Sequence, residues 1–271
     1  MSKSCKVSVV IPCFNQGEFL EEAVESVTRA GCHDVELIVV DDGSTDERTR
    51  EEMDAVSTRG IKVIRQENKG LAAARNAGVA AAQGEYIFAL DADDRLQSGW
   101  WEQGTSILCA DSKVGVVYGD AQCFGMNERL WRTGPFDESR LLYRNFIHAS
   151  ALYRRSVWEG NRGYDGTMPV QGYEDWDFWV GALEQGWQFA YLPQVFFDYR
   201  QAQGSMITKA ISFEDEIRDF LGRKHGILYE RAWLSMVTER QTLVGERESV
   251  KATSRNLGRL LKSRLKQRFK K

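Results

Sequence analysis

Apolar and polar residues alternate along the first 90 residues in a pattern that predicts strands and helices in turn. Short runs rich in Val and Ile are typical of buried strands, whereas apolar residues three or four positions apart predict amphipathic helices. The predicted strands are Lys6–Pro12, Val35–Val40, Ile61–Arg65 and Glu85–Leu90. The predicted helices are Glu18–Ala30, a polar helix after Asp46, and Leu71–Ala82. This alternation predicts an α/β, Rossmann-like fold with a mostly parallel central sheet flanked by helices.

The pattern becomes less regular after about residue 113. Short strands are predicted over Val114–Tyr118, Ala121–Gly125 and Arg129–Thr133, then a helix over Glu174–Gln185 and a strand over Phe189–Leu192. From Ile211 to the end the spacing is helical. We therefore expect a domain over 1–210, with halves of about 1–112 and 113–210, and a C-terminal helical extension over 211–271.

Composition narrows the class of protein. The chain has 271 residues, 42% hydrophobic and 28% charged, which is ordinary for a soluble globular protein. No apolar run approaches the roughly 18 residues of a membrane-spanning helix, and the N-terminus lacks a signal-peptide layout. The five cysteines are scattered and contain no CxxC pair, which favours reduced thiols over disulfides or a zinc site. We expect a cytoplasmic protein.

The C-terminal residues 251–271 differ in charge from the rest of the chain. They hold nine Lys or Arg and no Asp or Glu, so the net charge of −3 conceals an acidic body. An acidic body argues against nucleic-acid binding, because phosphate attracts a basic surface. The apolar residues of this tail recur at helical spacing: Leu257, Leu260, Leu261, Leu265 and Phe269. Such a helix either lies on an anionic membrane surface, docks on the body, or stays solvated.

Several polar residues follow the ends of predicted strands, where parallel sheets bind ligands. In the segment "FALDADDR", Asp91 and Asp93 would project to the same side of an extended chain. Two such carboxylates can supply part of the oxygen shell of Mg²⁺ or Mn²⁺. The alternative interpretation is a solvated turn in which Asp94 or Ser98 caps the next helix.

Two further segments carry groups suited to a nucleotide. In "VVDDGSTD", Asp42 can accept hydrogen bonds from a nucleobase or a ribose, while Ser44, Thr45 or Asp46 caps the following helix; the two interpretations are compatible. In "NKGLAAARNAG", Arg75 and Asn76 offer planar donors for a base or phosphate. The alternative there is an alanine-rich packing helix with an exposed arginine.

The segment "YEDWDFW" offers a general base. A carboxylate of Glu174 or Asp175 beside tryptophans would be partly desolvated, which raises its pKa and makes it a better proton acceptor. Alternatively, these acidic residues only favour a helix N-terminus through the dipole. His148, in "NFIHASALYRRSVW", either contacts a ligand or is a hydrogen-bonded structural histidine, and the second interpretation is favoured.

The order and spacing of these segments resemble the family 2 glycosyltransferases, inverting enzymes with the GT-A fold. The matching stretches also include "VSVVIPCFNQGEFLEEAVESV", and the likeness runs from about Val7 to Arg200. The resemblance implies a nucleotide-sugar donor, with a UDP-sugar favoured, and Mn²⁺ or Mg²⁺ as cofactor. It also implies a saccharide or lipid-linked acceptor in cell-envelope polysaccharide synthesis. For the basic tail, it favours peripheral contact with the inner face of the cell membrane.

The resemblance also implies roles for individual residues. Asp93 would be the main metal ligand, with Asp91 as a second ligand near the ribose or sugar, and Asp175 of the Glu174–Asp175 pair would be the catalytic base. The residues implied to bind the nucleotide sugar are Pro12, Phe14, Asn15, Asp42, Arg75, Asp91 and Arg200. The histidine that usually follows Tyr-Arg is absent from "YRQAQGSM", which weakens the diphosphate role of Arg200.

Three other classes of protein compete with this interpretation. A phosphatase would carry DxDx[TV] after its first strand, and a dinucleotide oxidoreductase would carry GxGxxG after its first strand; neither motif occurs there. A catalytically inactive nucleotide-sugar-binding or scaffold protein of the same fold stays open, because a fold does not imply its chemistry.

Overall fold

The computed structural model describes residues 7–30, 35–202, 210–238, 240–242 and 251. A nine-stranded sheet runs through these residues in the order β3-β2-β1-β4-β8-β6-β9-β5, with β7 paired to β6. The strands are β1 Val7–Cys13, β2 Val35–Asp41, β3 Lys62–Arg65, β4 Tyr86–Ala89, β5 Arg95–Leu96, β6 Val114–Gly125, β7 Arg129–Trp131, β8 Leu152–Arg154 and β9 Gln188–Gln201. The helices are α1 Gly17–Arg29, α2 Glu47–Thr58, α3 Leu71–Ala81, α4 Trp101–Ala110, α5 Glu138–Tyr143, α6 Arg155–Asn161, α7 Glu174–Glu184 and α8 Glu214–Lys224.

The first four strands pair in parallel, as the alternating pattern predicts. Alternate residues of β1 face opposite sides of the sheet. Val9 and Ile11 belong to the core cluster with the apolar face of α1. Val10 faces α3, where a Cβ on Gly78 would lie 2.2 Å from its side chain, so glycine allows the helix to pack closely. Helices therefore cover both faces of this half, and the carboxyl ends of β1, β2 and β4 meet at one edge.

The second half of the sheet is mixed. Strand β8 is antiparallel to both β4 and β6, whereas β6 and β9 are parallel. Strand β6 is continuous, where the sequence predicted two short strands separated at Gly119-Asp120. The glycine is needed there because a Cβ would lie 2.3 Å from the ring of Phe196. The gap between the two predicted strands is thus a close contact of Gly119 with the neighbouring strand β9, where the register shifts.

The described residues divide into two compact units, one ending at His225 and the other beginning at Gly226. Residues 226–238, in the second unit, are helical. Among the described residues, no helix combines the length and apolarity needed to cross a membrane. The predicted amphipathic helix, from Leu257 to Phe269, lies outside the described residues. The predicted functional halves, 1–112 and 113–210, stay predictions.

Candidate functional site

A cavity of about 670 Å³ opens at the carboxyl ends of the parallel strands. Its size lies within the usual range of small-molecule sites. Nine of the ten residues to which the family resemblance assigns a role line it: Pro12, Phe14, Asp42, Arg75, Asp91, Asp93, Glu174, Asp175 and Arg200. These residues come from positions 12 to 200, so the fold brings the separate motifs to one place.

Asn15 is the nominated residue that does not line the cavity. Its backbone is left-handed, with φ of 53°, and its side-chain Oδ1 accepts the N–H groups of Thr45 (2.7 Å) and Asp46 (3.3 Å). Asn15 therefore ties the loop after β1 to the loop after β2. Asn15 thus supports the loops beside the cavity, and its predicted contact with the nucleotide stays a prediction.

Asp42 organises the loop that leads into α3. Its carboxylate accepts hydrogen bonds from the side chain of Gln66 (2.6 Å) and the backbone N–H groups of Lys69 (3.0 Å) and Gly70 (2.8 Å). One face of the residue still borders the cavity. The predicted capping is confirmed for Asp46, whose side chain accepts the N–H of Thr49 at the start of α2.

Arg75 is buried between two carboxylates. Its guanidinium donates to Asp91 (2.7 Å) and to Glu174, and its side chain is only 2% exposed. The alternative of an exposed arginine on a packing helix is therefore wrong. Asn76 does not reach the cavity: it donates to the carbonyl of Tyr164 and accepts from the indole of Trp158. Asn76 is a packing residue, and the suggestion that it contacts a base or phosphate is corrected.

The aspartate segment forms a turn. The N–H of Asp94 donates to the carbonyl of Asp91 (3.0 Å), so the segment is not extended as the sequence analysis assumed. Asp94 is buried, and its Oδ1 accepts the backbone N–H of Arg200 (2.8 Å). The solvated-turn alternative is also wrong, because α4 begins at Trp101 and neither Asp94 nor Ser98 caps it.

The three carboxyl groups of this turn have different pKa values. Burial opposes ionisation of Asp91, but the Arg75 guanidinium outweighs it and holds the pKa of Asp91 below its ordinary value. Burial and the charge of Asp91 raise the pKa of Asp93 to about 6. Burial and the charges of Asp93 and Asp91 raise the pKa of Asp94 well above its usual range. The turn thus concentrates negative charge that the protein only partly balances.

These residues fit a hard divalent cation. Carboxylate oxygens are the ligands that Mg²⁺ and Mn²⁺ prefer. A cation would relieve the repulsion within the turn, and the buried Oδ2 of Asp94 has no hydrogen-bond partner among the described residues. Asp91, Asp94 and His148 offer ligand atoms within 4.8 Å of one another, whereas the predicted pair, Asp91 and Asp93, faces the cavity.

The Glu174–Asp175 pair lies in the first turn of α7, and both residues are buried. Glu174 accepts from Arg75 and from the N–H of Gly172 (2.9 Å). Burial, with the neighbouring charge of Glu174, raises the pKa of Asp175 to about 7, although Arg75 and a hydrogen bond from Asn145 act in the opposite direction. The predicted rise in pKa is confirmed, and it leaves a carboxyl group able to accept a proton near neutral pH.

Arg200 lines the cavity, yet its guanidinium is held by the protein. It pairs with Glu22, donates to the carbonyl of Asp93 (2.8 Å), and stacks over Phe19 at 4.3 Å. These contacts connect α1 to the aspartate turn. Arg200 therefore fixes the shape of the turn, whatever further contact it makes with a ligand.

The model of the family "Glycosyl transferase family 2" matches residues 8–168, more than half of the chain. The chain belongs to this family.

Relatives of the chain are glycosyltransferases in name. Glycosyltransferase GlyG of Streptococcus pneumoniae serotype 4 is 45% identical over 118 residues, covering 41% of this chain and 39% of GlyG. The uncharacterized glycosyltransferase EpsJ of Bacillus subtilis is 40% identical over 218 residues, covering 74% of this chain and 62% of EpsJ. The chain thus spans less than two thirds of the length of either relative.

A solved structure has the same fold. Residues 1–349 of Staphylococcus aureus TarS, in complex with UDP-GlcNAc, align with a TM-score of 0.62 at 19% sequence identity. The alignment covers 76% of this chain and 61% of that one. At this identity the likeness shows the fold, which is the GT-A fold that the sequence predicts for a family 2 member.

Other cavity residues of this family 2 chain escaped the sequence analysis. Asn145 hydrogen-bonds Asp175, Gln16 hydrogen-bonds Asp93, and Trp131 from β7 forms part of the wall. Asn145 and Trp131 lie in the irregular region, where no spacing marks a site. Gln16 follows the "PCFN" turn, and its position at a strand end was the one signal available.

Proposed function

We propose that this protein transfers a sugar from a nucleotide diphosphate sugar, most suitably a UDP-sugar, to a hydroxyl of a saccharide or lipid-linked acceptor. One observation carries the proposal: a buried proton acceptor, Asp175, and a carboxylate turn suited to a cation share one cavity. Membership of family 2 supports the reaction class. The fold shared with TarS, which was crystallised with UDP-GlcNAc, supports a UDP-linked donor.

In the proposed reaction Asp175 accepts the proton of the acceptor hydroxyl as its oxygen attacks the anomeric carbon. The bond from that carbon to the diphosphate breaks, and the diphosphate leaves with the electron pair. Attack from the face opposite the diphosphate inverts the configuration in one displacement, so no enzyme nucleophile is required. Burial of Asp175 favours this role because water is kept from the base.

The remaining residues of the site bind and orient the substrates. Asp93, with Asp91, would hold Mn²⁺ or Mg²⁺, which supplies positive charge against the departing diphosphate. Pro12, Phe14 and Asp42 border the part of the cavity proposed for the nucleotide. Arg75 keeps Asp91 and Glu174 in place, since it donates to both.

A panel of nucleotide sugars tests the proposal. Purified protein is incubated with UDP-glucose, UDP-galactose, UDP-GlcNAc and GDP-mannose, with and without Mn²⁺; water serves as the acceptor hydroxyl, so the sugar is hydrolysed, and the released nucleoside diphosphate is measured. We expect release from one donor that depends on the metal and is lost in Asp175→Asn. Metal-dependent binding of a donor with no turnover on any acceptor would instead favour the non-catalytic alternative.

We further propose a role in cell-envelope polysaccharide synthesis, at the cytoplasmic face of the membrane. The basic composition of residues 251–271 supports this proposal, because clustered Lys and Arg are attracted to anionic lipid. Co-sedimentation with phosphatidylglycerol vesicles tests it. The full chain should bind and a 1–250 variant should not; equal binding by both would contradict the membrane contact.

A further inference from the structure

His148 is a polar side chain in the cavity wall that the reaction above does not use. Its ring lies among aromatic rings, with centroids 4.7 Å from Phe197, 5.1 Å from Tyr199 and 6.3 Å from Trp131. It nevertheless borders the cavity. A phenylalanine would satisfy the packing alone, so the two ring nitrogens distinguish the imidazole; one of them makes the structural hydrogen bond that the sequence predicts.

One hydrogen bond fixes which nitrogen of His148 carries the proton. The backbone N–H of Ser150 donates to Nδ1 at 3.1 Å. A ring nitrogen that accepts a hydrogen bond holds no proton, so the imidazole is neutral and its proton sits on Nε2. His148 therefore presents an N–H donor through Nε2.

The Nε2 atom lies 4.0 Å from Oδ2 of Asp91. This distance is too long for a direct hydrogen bond. Oδ1 of Asp91 accepts from Arg75, and Oδ2 faces His148. Each carboxylate oxygen has two lone pairs, so Oδ2 can accept a hydroxyl proton and still be a ligand of the proposed cation. An oxygen placed about 2.8 Å from both atoms fits between them. A hydroxyl suits this position, because it accepts from Nε2 and donates to Oδ2 at once.

We propose that His148 and Asp91 form a clamp for one hydroxyl of the donor sugar, and that His148 is a residue that determines donor specificity. The proposal rests on the proposed function. A diphosphate oxygen does not fit the clamp, since it has no proton to give to Asp91 and carries the same charge. A cation on Nε2 does not fit either, because the proton would move to Nδ1 and face the N–H of Ser150, donor against donor.

Binding of UDP and of UDP-sugars to matched variants tests the clamp. His148→Phe keeps the ring and removes the donor, while His148→Gln places an amide N–H near the position of Nε2. Calorimetry is done with UDP alone and with UDP-glucose, UDP-galactose and UDP-GlcNAc. We expect His148→Phe to bind UDP as the wild type does and to bind the preferred UDP-sugar about five- to tenfold more weakly. His148→Gln should recover part of that loss.

Every other result of these binding measurements would contradict either the clamp or the proposed function. Equal weakening for UDP and the UDP-sugar would place the contact on the ribose and overturn the clamp, as would no weakening at all. A tenfold loss of Mn²⁺ affinity in His148→Phe, measured by EPR in the presence of UDP, would make His148 a metal ligand and overturn it. If the wild type binds none of the UDP-sugars, the proposed function itself fails, and the clamp fails with it.

The tautomer of His148 can be measured in the wild-type protein, so this test does not depend on the folding of a variant. The ¹⁵N chemical shifts of the histidine rings in the wild-type protein distinguish protonation on Nε2 from protonation on Nδ1, and the chain has only three histidines. We expect the Nε2-protonated pattern for His148 from pH 6 to pH 8. An Nδ1-protonated ring would remove the donor and contradict the clamp.

Discussion

The aspartate turn after β4 and the Glu174–Asp175 pair at the start of α7 border the same cavity and share Arg75, yet their charges are balanced differently. At the turn, Arg75 pairs with Asp91, and the pKa values of Asp93 and Asp94 remain raised. At the pair, Arg75 engages Glu174, and Asp175 is left with a pKa of about 7. The turn keeps excess negative charge, while the pair keeps one group close to its titration point.

This difference shows how carboxyl side chains in one cavity can serve both cation binding and proton transfer. A carboxylate cluster with uncompensated charge attracts a cation, whereas a single buried carboxyl group whose acidic neighbour pairs with an arginine exchanges a proton. Glu174 and Asp175 are buried, whereas Asp91 and Asp93 are half-buried, so exposure and the placement of the arginine together distinguish the two places. Changes at each place should therefore have separable effects on cation binding and proton transfer.

The largest expected effect comes from Asp175→Asn. The amide keeps the shape of the side chain and cannot accept a proton, so kcat should fall by roughly 10³-fold. Metal-dependent binding of UDP, measured by calorimetry, should stay within about twofold of the wild type, because the turn is untouched. Retention of wild-type transfer rates would show that Asp175 is not the base.

Asp93→Asn, unlike Asp175→Asn, should weaken metal binding. Loss of a carboxylate that faces the cavity should weaken Mn²⁺ binding in the presence of UDP and lower transfer about a hundredfold, because charge on the leaving diphosphate is no longer balanced. EPR of free Mn²⁺ measures the first quantity and a transfer assay the second. If Mn²⁺ affinity is unchanged while Asp94→Asn abolishes it, the main ligand is Asp94 instead.

Arg75→Gln should destabilise the protein, because it disturbs both the aspartate turn and the Glu174–Asp175 pair. The substitution leaves Glu174 and Asp91 without their shared cation, and a buried charge without its partner costs about 3 kcal/mol in the free energy of unfolding. Urea denaturation followed by tryptophan fluorescence measures the loss. The double variant Arg75→Gln/Glu174→Gln should recover part of it. A double variant less stable than Arg75→Gln alone would argue against an unpaired Glu174 as the cause.

Much of the fold could be predicted from the sequence, because each β-α unit of the first half has its own local signal. The apolar run of β1 and the spacing of Leu20, Ala23, Val24 and Val27 in α1 both match the structure. The second half was harder to predict because its strands pair over long sequence distances. Strand β6 continues through an irregular register at Gly119, where a Cβ would meet Phe196, 77 positions away, and no local pattern shows this contact.

The site was predictable as a set of motifs but not as a geometry. The sequence nominated Arg75, Asp91 and Glu174 separately, without indicating that the arginine bridges the other two, one of which is 99 residues away. The sequence predicts an extended segment at Asp91–Asp94, because the hydrogen bond that closes the turn leaves no mark in composition. The hydrogen bond from Asn145 to Asp175 likewise depends on tertiary packing.

A smaller effect is expected in the pH dependence. Because the pKa of Asp175 is raised to about 7, its ionised, proton-accepting form grows as the pH rises, and kcat/KM should increase about tenfold from pH 6 to pH 8. Glu174→Gln removes one cause of the raised pKa, so the midpoint of the profile should move to lower pH. A midpoint that stays at the wild-type position would mean that Glu174 does not act on Asp175.

The smallest effect is expected for His225, which lies between two carboxylates of α7, Asp177 (3.0 Å) and Glu184 (2.7 Å). Burial lowers the pKa of His225, but its two carboxylate partners outweigh burial and raise it above 6.5. The charged ring should therefore stabilise the fold fully below about pH 6.5, and this stabilisation should fade as the pH rises through the higher folded-state pKa. We expect His225→Gln to lower the free energy of unfolding by about 1–2 kcal/mol at pH 6 and by less at pH 9.

Arg223→Gln is the matched control for this variant, because its pair with Asp219 is exposed and should contribute under about 0.5 kcal/mol at any pH. Since His225 holds the helix that carries Asp175 and does not touch the aspartate turn, His225→Gln should lower kcat slightly and leave Mn²⁺ affinity unchanged. If Mn²⁺ affinity falls as much as kcat, the aspartate turn and the Glu174–Asp175 pair are coupled through α7 as well as through Arg75. Asp175→Asn and Asp93→Asn would then not have separable effects.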